Sequence, residues 1–324
     1  MYIFTCYPST IAMDDMFPNT FTRRRVLGGL LAAGALGAGG AVVWNRRSAG
    51  SVPLQPALDV LRDLPRTDRM PAVFVGHGTP WSAIRPGPFT ETWAEVGRRL
   101  PTPDAILMVS AHWLTRGGCL VTANETPRMN YDMYGFPEEM YAIRYPAPGA
   151  PGLAEDVAEA IRPGTPVAPD DEWGFDHGTW LPLMYMFPGG PVPLVQLSID
   201  YSRPPAFHYE LASYLRDLRS RGVLIMGSGN LVHNLLQRGS AGLPPFAWAE
   251  EFDTTITRFI REGDHQAAVR FLDLGAVASA AHPTYDHFLP LLYVLGVHAD
   301  GDSVTTFNEG FQEPSVSMKS FVIV

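Results

Sequence analysis

The sequence predicts an α/β fold: a single domain with a mostly parallel central sheet flanked by helices. Three observations carry this. Four apolar runs, AVFVG (72–76), AILMVSA (105–111), VPLVQLSI (192–199) and VLIMGSG (223–229), are continuous rather than alternating. Strands covered on both faces read that way, and such strands are usually parallel. Helix-like segments lie between the runs, and alternation of the two types implies an α/β layer architecture.

Taken in order, residues 1–49 stand apart. FTRRRVLGGLLAAGALGAGGAVVW (21–44) places an Arg triplet before a long uncharged stretch rich in Ala, Gly and Leu. That is a basic region followed by an apolar one, as in a targeting segment. Its TRRRVLG entry resembles a twin-arginine export signal, which implies a periplasmic destination. Arg46 and Arg47 after the apolar run also fit an N-terminal membrane anchor, since about 20 apolar residues can span a bilayer. Met13 and Met16 are alternative starts. Residues 50–68 read as a linker, and 69–324 as the folded domain.

In the domain, FTETWAEVGRRL (89–100), GLAEDVAEAI (152–161), PAFHYELASYLRDLRSRG (205–222) and AEEFDTTITRFIREGD (249–264) have apolar spacing of three and four, so they are expected to be helices. Arg side chains and Gly222 make a good stop for the third. FLPLLYVLG (288–296) is expected to be a buried helix, and SVTTFNEG (303–310) and SVSMKSFVIV (315–324) late strands.

The 324 residues are 46% hydrophobic, enough for a large core, and 18% charged, too few for a disordered chain. The net charge is −9. Setting aside the five Arg and two Asp of residues 1–49 leaves 19 basic against 31 acidic side chains, a net −12. Such a body attracts neither phosphate nor membrane surfaces, so no nucleic-acid partner is expected. Cys6 and Cys119 form no disulfide framework, and Cys119 reads as a small core residue. A metal would therefore rest on His and carboxylate.

The positions of the nine histidines matter more than their number. His77, His112 and His233 each follow the end of an expected parallel strand, the edge where open α/β sheets bind ligands. His177, in WGFDHGTW, and His287, in HPTYDHFLPLL, each precede an apolar helix. A single histidine of this kind is more often a hydrogen-bonded loop residue, and His208, His265 and His298 are read so. Five with the same surroundings point to one site. Gly76 and Gly78 permit close approach or positive φ beside His77. Asp176 and Asp286 could supply oxygen atoms to the site. Neutral imidazole binds Fe, Zn, Cu or Ni, and two or three ligands leave open positions for chemistry.

GHGTP, SAHW, YGFPEEMY, GFDHGTW, QLSID, GSGNLVHNL and HPTYDHFLPLLYVLG together resemble the class III extradiol ring-cleaving dioxygenases, in their DOPA 4,5-dioxygenase-like branch. The resemblance runs from about Met70 to the C-terminus. It implies insertion of O2 into a catechol-type aromatic ring to give a ring-opened semialdehyde. It implies one divalent metal per chain, Fe(2+) for oxygen chemistry or Zn(2+) as in the related branch, held by His77, His112 and His287, with Asp286 as the fallback third ligand. His233 matches the acid/base histidine and could also enter the metal shell. His177 matches a catalytic residue that contacts substrate or orients a ligand. His282 is left outside the set. The implied partners are a small aromatic diol and O2, and a homo-oligomer is compatible with the family. Trp113, Trp180 and Tyr285 could stack on an aromatic ring or pack in the core.

Two rival readings remain at this level. One is a zinc-dependent hydrolase on a similar α/β scaffold, using metal-bound water. The other is a non-catalytic exported metal-binding protein.

Overall fold

The computed structural model describes residues 69–324. The expected export segment 1–49 and linker 50–68 lie outside the described residues. The strands are β1 (Ala72–Gly76), β2 (Ala105–Thr115), β3 (Cys119–Thr122), β4 (Val167–Asp170), β5 (Leu194–Asp200), β6 (Val223–Gly229), β7 (Val304–Phe307), β8 (Phe311–Glu313), β9 (Val316–Ser317) and β10 (Ser320–Ile323). The helices are α1 (Pro88–Arg99), α2 (Glu138–Ala142), α3 (Pro151–Ile161), α4 (His177–Met186), α5 (Pro205–Ser213), α6 (Ala247–Arg261), α7 (His265–Val269), α8 (Ala276–Ala281) and α9 (Leu289–Gly296).

The main sheet has the order β4-β3-β5-β2-β6-β1-β10-β7, and β8 pairs with β9 in a small second sheet. The centre, β5-β2-β6-β1, is parallel throughout and consists of the four expected apolar strands. The C-terminal strands β10 and β7 extend it antiparallel beyond β1.

The continuous apolar pattern has a direct cause. Val73 and Val75 pack on one face with Trp93 and Val96 of α1 and Leu181 and Leu183 of α4. Ala72 and Phe74 pack on the other with Val157 of α3, Phe252 of α6 and Leu292 of α9. Each fully buried aliphatic or aromatic side chain is worth about 1.5–3 kcal/mol relative to exposure, so both layers stabilise the sheet. Cys119 is buried in β3 with its thiol pushed up to about 12 by burial, which fits a core role.

Two expectations are corrected. The single helix over 205–222 is α5 followed by a 3-10 segment at Arg216–Arg221, ended by Gly222 at φ 76°. Leu211, Leu215 and Leu218 keep helical spacing, but bonds from Leu215 to Ala212 and from Leu218 to Leu215 tighten the backbone to three residues per turn. The second strand does not end before His112. It runs to Thr115, and its register with β5 shifts between Val109 and Leu114, an irregularity of the kind that re-aims a side chain. No helix among the described residues is long and apolar enough to cross a membrane.

Candidate metal centre

Three adjacent parallel strands end on one edge of the sheet, and each delivers a histidine there. His77 follows β1, and its amide donates to the Gly229 carbonyl at 3.0 Å. Gly76 permits this turn because a Cβ there would lie 2.7 Å from the Met318 carbonyl carbon; Gly78 adopts φ +64°. His112 is carried by the far end of β2. His233 follows β6 on a loop fixed by its own amide to the Ala281 carbonyl at 3.0 Å. The Nε2–H of His282 returns the tie by donating to the Leu231 carbonyl at 2.9 Å.

Two more histidines come from helix starts. Asp176 caps α4, accepting from the Thr179 amide at 3.1 Å, so His177 is its first residue. Gly178 lets α4 close on β2: a Cβ there would meet Ser110 Oγ at 2.5 Å and His112 Cδ2 at 2.9 Å. His287 lies just before α9, and a Cβ on Gly229 would meet its carbonyl at 2.1 Å.

All five expected histidines therefore converge. Ring centroids lie 5.0 Å apart for His77–His112, 5.4 Å for His77–His177, 5.2 Å for His77–His287 and 4.0 Å for His112–His177. His233 stacks on His287 at 3.5 Å with a 7° interplanar angle. His77, His112 and His177 offer ligand atoms that all lie within 4.8 Å of one another.

The hydrogen bonds determine the tautomers. Pro182 has no N–H for the Gly178 carbonyl four residues earlier, and Ser228 Oγ donates to that carbonyl instead. Ser228 Oγ must then accept from His77 Nδ1–H, 3.0 Å away, which leaves His77 Nε2 as a lone pair. Asp132 lies 3.1 Å from His112 Nδ1 and 2.9 Å from His177 Nδ1, and Asp286 lies 2.7 Å from His287 Nδ1. A carboxylate only accepts, so these three rings also carry Nδ1–H. With both rings neutral, the Nε2 lone pairs of His77 and His112 face each other at 3.1 Å. Two such atoms repel unless a positive charge lies between them. Two nitrogens about 2.1 Å from one ion at a right angle would be about 3.0 Å apart, so the pair fits a bound metal.

The electrostatics agree. Burial and then the neighbouring imidazoles hold His77 well below the usual histidine range. Burial and His287 do the same for His233. At His112 burial acts downward, but Asp132 outweighs it and raises the pKa. Burial pushes the Asp286 carboxyl up, but His287 pulls it well below the usual carboxylate range.

Other expected residues lie elsewhere. Asp176 accepts from Ser110 Oγ at 2.7 Å and from Gln196, supporting the helix cap rather than a ring nitrogen. Trp113 is fully buried and stacked on Trp173 at 5.2 Å, and Trp180 is also fully buried, so both are core residues. Tyr285 packs 5.0 Å from Tyr201. His208 pairs with Tyr293 and His265 packs on His298, outside the cluster. Sequence reasoning missed Asp132 and Ser228. Nothing in the NYDMY context marks Asp132, whereas Ser228 follows the expected β6 run and could have been found there.

Residues 82–317 match the family model of the catalytic LigB subunit of aromatic ring-opening dioxygenase. The chain is 42% identical to a 4,5-DOPA dioxygenase extradiol of Escherichia coli K12, over 79% of this chain and 95% of that protein. It is 32% identical to the protein of the same name from Beta vulgaris, over 76% of this chain and 94% of that protein. A crystal structure of an uncharacterized Escherichia coli K12 protein superposes with TM-score 0.67 at 39% identity, covering 79% of this chain and all of that one. The hydrolase and non-catalytic readings find no support in these relatives. The chain belongs to the LigB family and is an extradiol aromatic ring-opening dioxygenase of the DOPA-dioxygenase-like branch.

Proposed function

We propose that this dioxygenase opens the ring of a DOPA-type catechol to a semialdehyde, with one metal ion per chain held by His77, His112 and His287. The observation that carries this reading is the facing pair of Nε2 lone pairs, 3.1 Å apart at the carboxyl edge of the sheet. A bound ferrous ion would supply the redox chemistry that O2 insertion needs, which zinc would not. Ligand histidines commonly donate their other ring N–H to a carboxylate or another acceptor, and His77, His112, His177 and His287 all do so. His177 belongs to the triad whose ligand atoms lie within 4.8 Å of one another, but it also starts α4, whose positive end favours an anion. We therefore assign His177 to the bound diol, where its Nε2 lone pair accepts from the hydroxyl still protonated, and His287 to the metal.

His233 differs from the other four. The other four rings face a serine or carboxylate oxygen through Nδ1, whereas its ring stacks face to face on His287. Its lowered pKa keeps it neutral near pH 7, ready to accept a diol proton. It returns that proton as the ring opens, so the enzyme ends unchanged and both oxygen atoms of O2 remain in the product.

The test is anaerobic loading with Fe(II) followed by L-DOPA and O2. Uptake of one O2 per diol with a yellow semialdehyde supports the reading. Absence of uptake with L-DOPA and with simple catechols, on protein that holds its metal, overturns it. For the third ligand, His287→Ala should lose metal and His177→Ala keep it; the reverse moves the ligand to His177. We further propose that residues 1–49 direct export by the twin-arginine route or anchor the N-terminus. Cell fractionation tests this, and recovery of the full chain in the cytoplasm alone would refute it. Sedimentation of the purified protein tests the homo-oligomer that the family allows.

A further inference from the structure

The loop between β3 and α2 has little regular structure, yet one stretch is fixed. Met129 forms a parallel bridge with Phe175. The Asn130 amide donates to the Phe175 carbonyl at 2.8 Å, and the Phe175 amide donates to the Arg128 carbonyl at 2.9 Å. The loop is thus paired along the segment that leads into α4, and two residues later it places Asp132 beside the histidine cluster. Its side chain is only 8% exposed. Oδ1 accepts from the His177 amide at 2.8 Å. Oδ2 lies 2.9 Å from His177 Nδ1 and 3.1 Å from His112 Nδ1.

We propose that Asp132 is a positioning residue that orients two imidazoles on two different elements, fixing His112 of β2 and His177 of α4 together as Nδ1–H tautomers. One carboxylate accepts three N–H bonds and joins the sheet edge to the helix start. It leaves both Nε2 atoms as lone pairs, one of them facing His77. An asparagine cannot reproduce this, because it has one acceptor oxygen and its amide nitrogen meets an N–H instead of a lone pair. The inference rests on the metal reading above and extends it to a residue outside the ligand set.

The experiment uses zinc as a redox-silent probe. Zinc affinity is measured by chelator competition on wild type, Asp132→Asn, Asp132→Glu and His77→Ala, with circular dichroism confirming the fold. Asp132→Asn should bind zinc about 10- to 100-fold more weakly, the range for removing a group that orients a ligand, and Asp132→Glu should recover part of the loss. Nitrogen-15 spectra of histidine-labelled, zinc-loaded wild type should show Nδ1–H on His112 and His177, with at least one of the two changed in Asp132→Asn. Unchanged affinity and tautomers in Asp132→Asn, beside a His77→Ala that no longer binds, overturn this inference and leave the metal reading intact. Wild-type affinity in His77→Ala overturns both. If Asp132→Asn does not fold, the wild-type spectrum decides: an Nε2–H tautomer on either ring refutes the proposal.

Discussion

The two edges of the central sheet bury polar groups in opposite ways. At the amino edge, just before β6, Arg219 is buried and held by three hydrogen bonds. It donates to the Met70 carbonyl at 2.7 Å, to the Val297 carbonyl at 2.9 Å and to the Asp302 carboxylate. At the carboxyl edge, five imidazoles crowd together and two lone pairs face each other at 3.1 Å. A satisfied buried network costs little and fixes structure, whereas an unsatisfied one is retained for another reason. The metal proposed for this site supplies that reason, and the contrast separates groups that hold the fold from groups proposed to do the work.

The comparison is broken most strongly at His77, the proposed ligand that faces His112 at 3.1 Å. His77→Ala should abolish metal binding and turnover, read by metal analysis and O2 uptake, with little change in fold. His233→Ala should lower kcat by roughly 10²–10⁴-fold, the usual contribution of a general acid–base group, while metal content stays at the wild-type level.

Arg219→Met should do the opposite. Asp302 keeps Arg69 at 3.0 Å and the Ala299 amide, so the cost falls below the about 3–5 kcal/mol of an uncompensated buried charge, seen as a lower Tm with activity per folded molecule unchanged. The same pair predicts a pH effect. Burial acts to raise the Asp302 carboxyl, but Arg219 and the Ala299 amide hold it below its usual value. A depressed folded pKa means that the stabilisation is present above about pH 4, the unfolded carboxylate value, and fades as pH falls through the folded value. Acid titration of Tm should show this slope in wild type and a shallower one in Arg219→Met. Smallest of all, His298→Ala, whose ring packs on His265 and takes no part in either polar network, should change stability by no more than about 0.5 kcal/mol and leave turnover alone.

How far these features could be read in advance follows from their physics. The four central strands were legible because both of their faces are covered, which forces unbroken apolar runs. β3 and β4 were not: each has four residues, and VAPD carries two exposed positions and a proline. The convergence of His77, His112 and His233 was legible because parallel strands bring their carboxyl ends to one side. His112 proved to lie within its strand, since a register shift leaves no mark in an apolar run. Asp132 was illegible because its role depends on a loop pairing with residues 45 positions further on. Sequence periodicity records local burial and carries no signal for such a pairing.

The most direct test of the central claim compares metal content and ring cleavage in the same preparations of wild type, His77→Ala and His233→Ala. The account predicts one metal per chain and O2 uptake matched to the catechol consumed in wild type, neither in His77→Ala, and metal with little turnover in His233→Ala. Full metal content and activity in His77→Ala would contradict it.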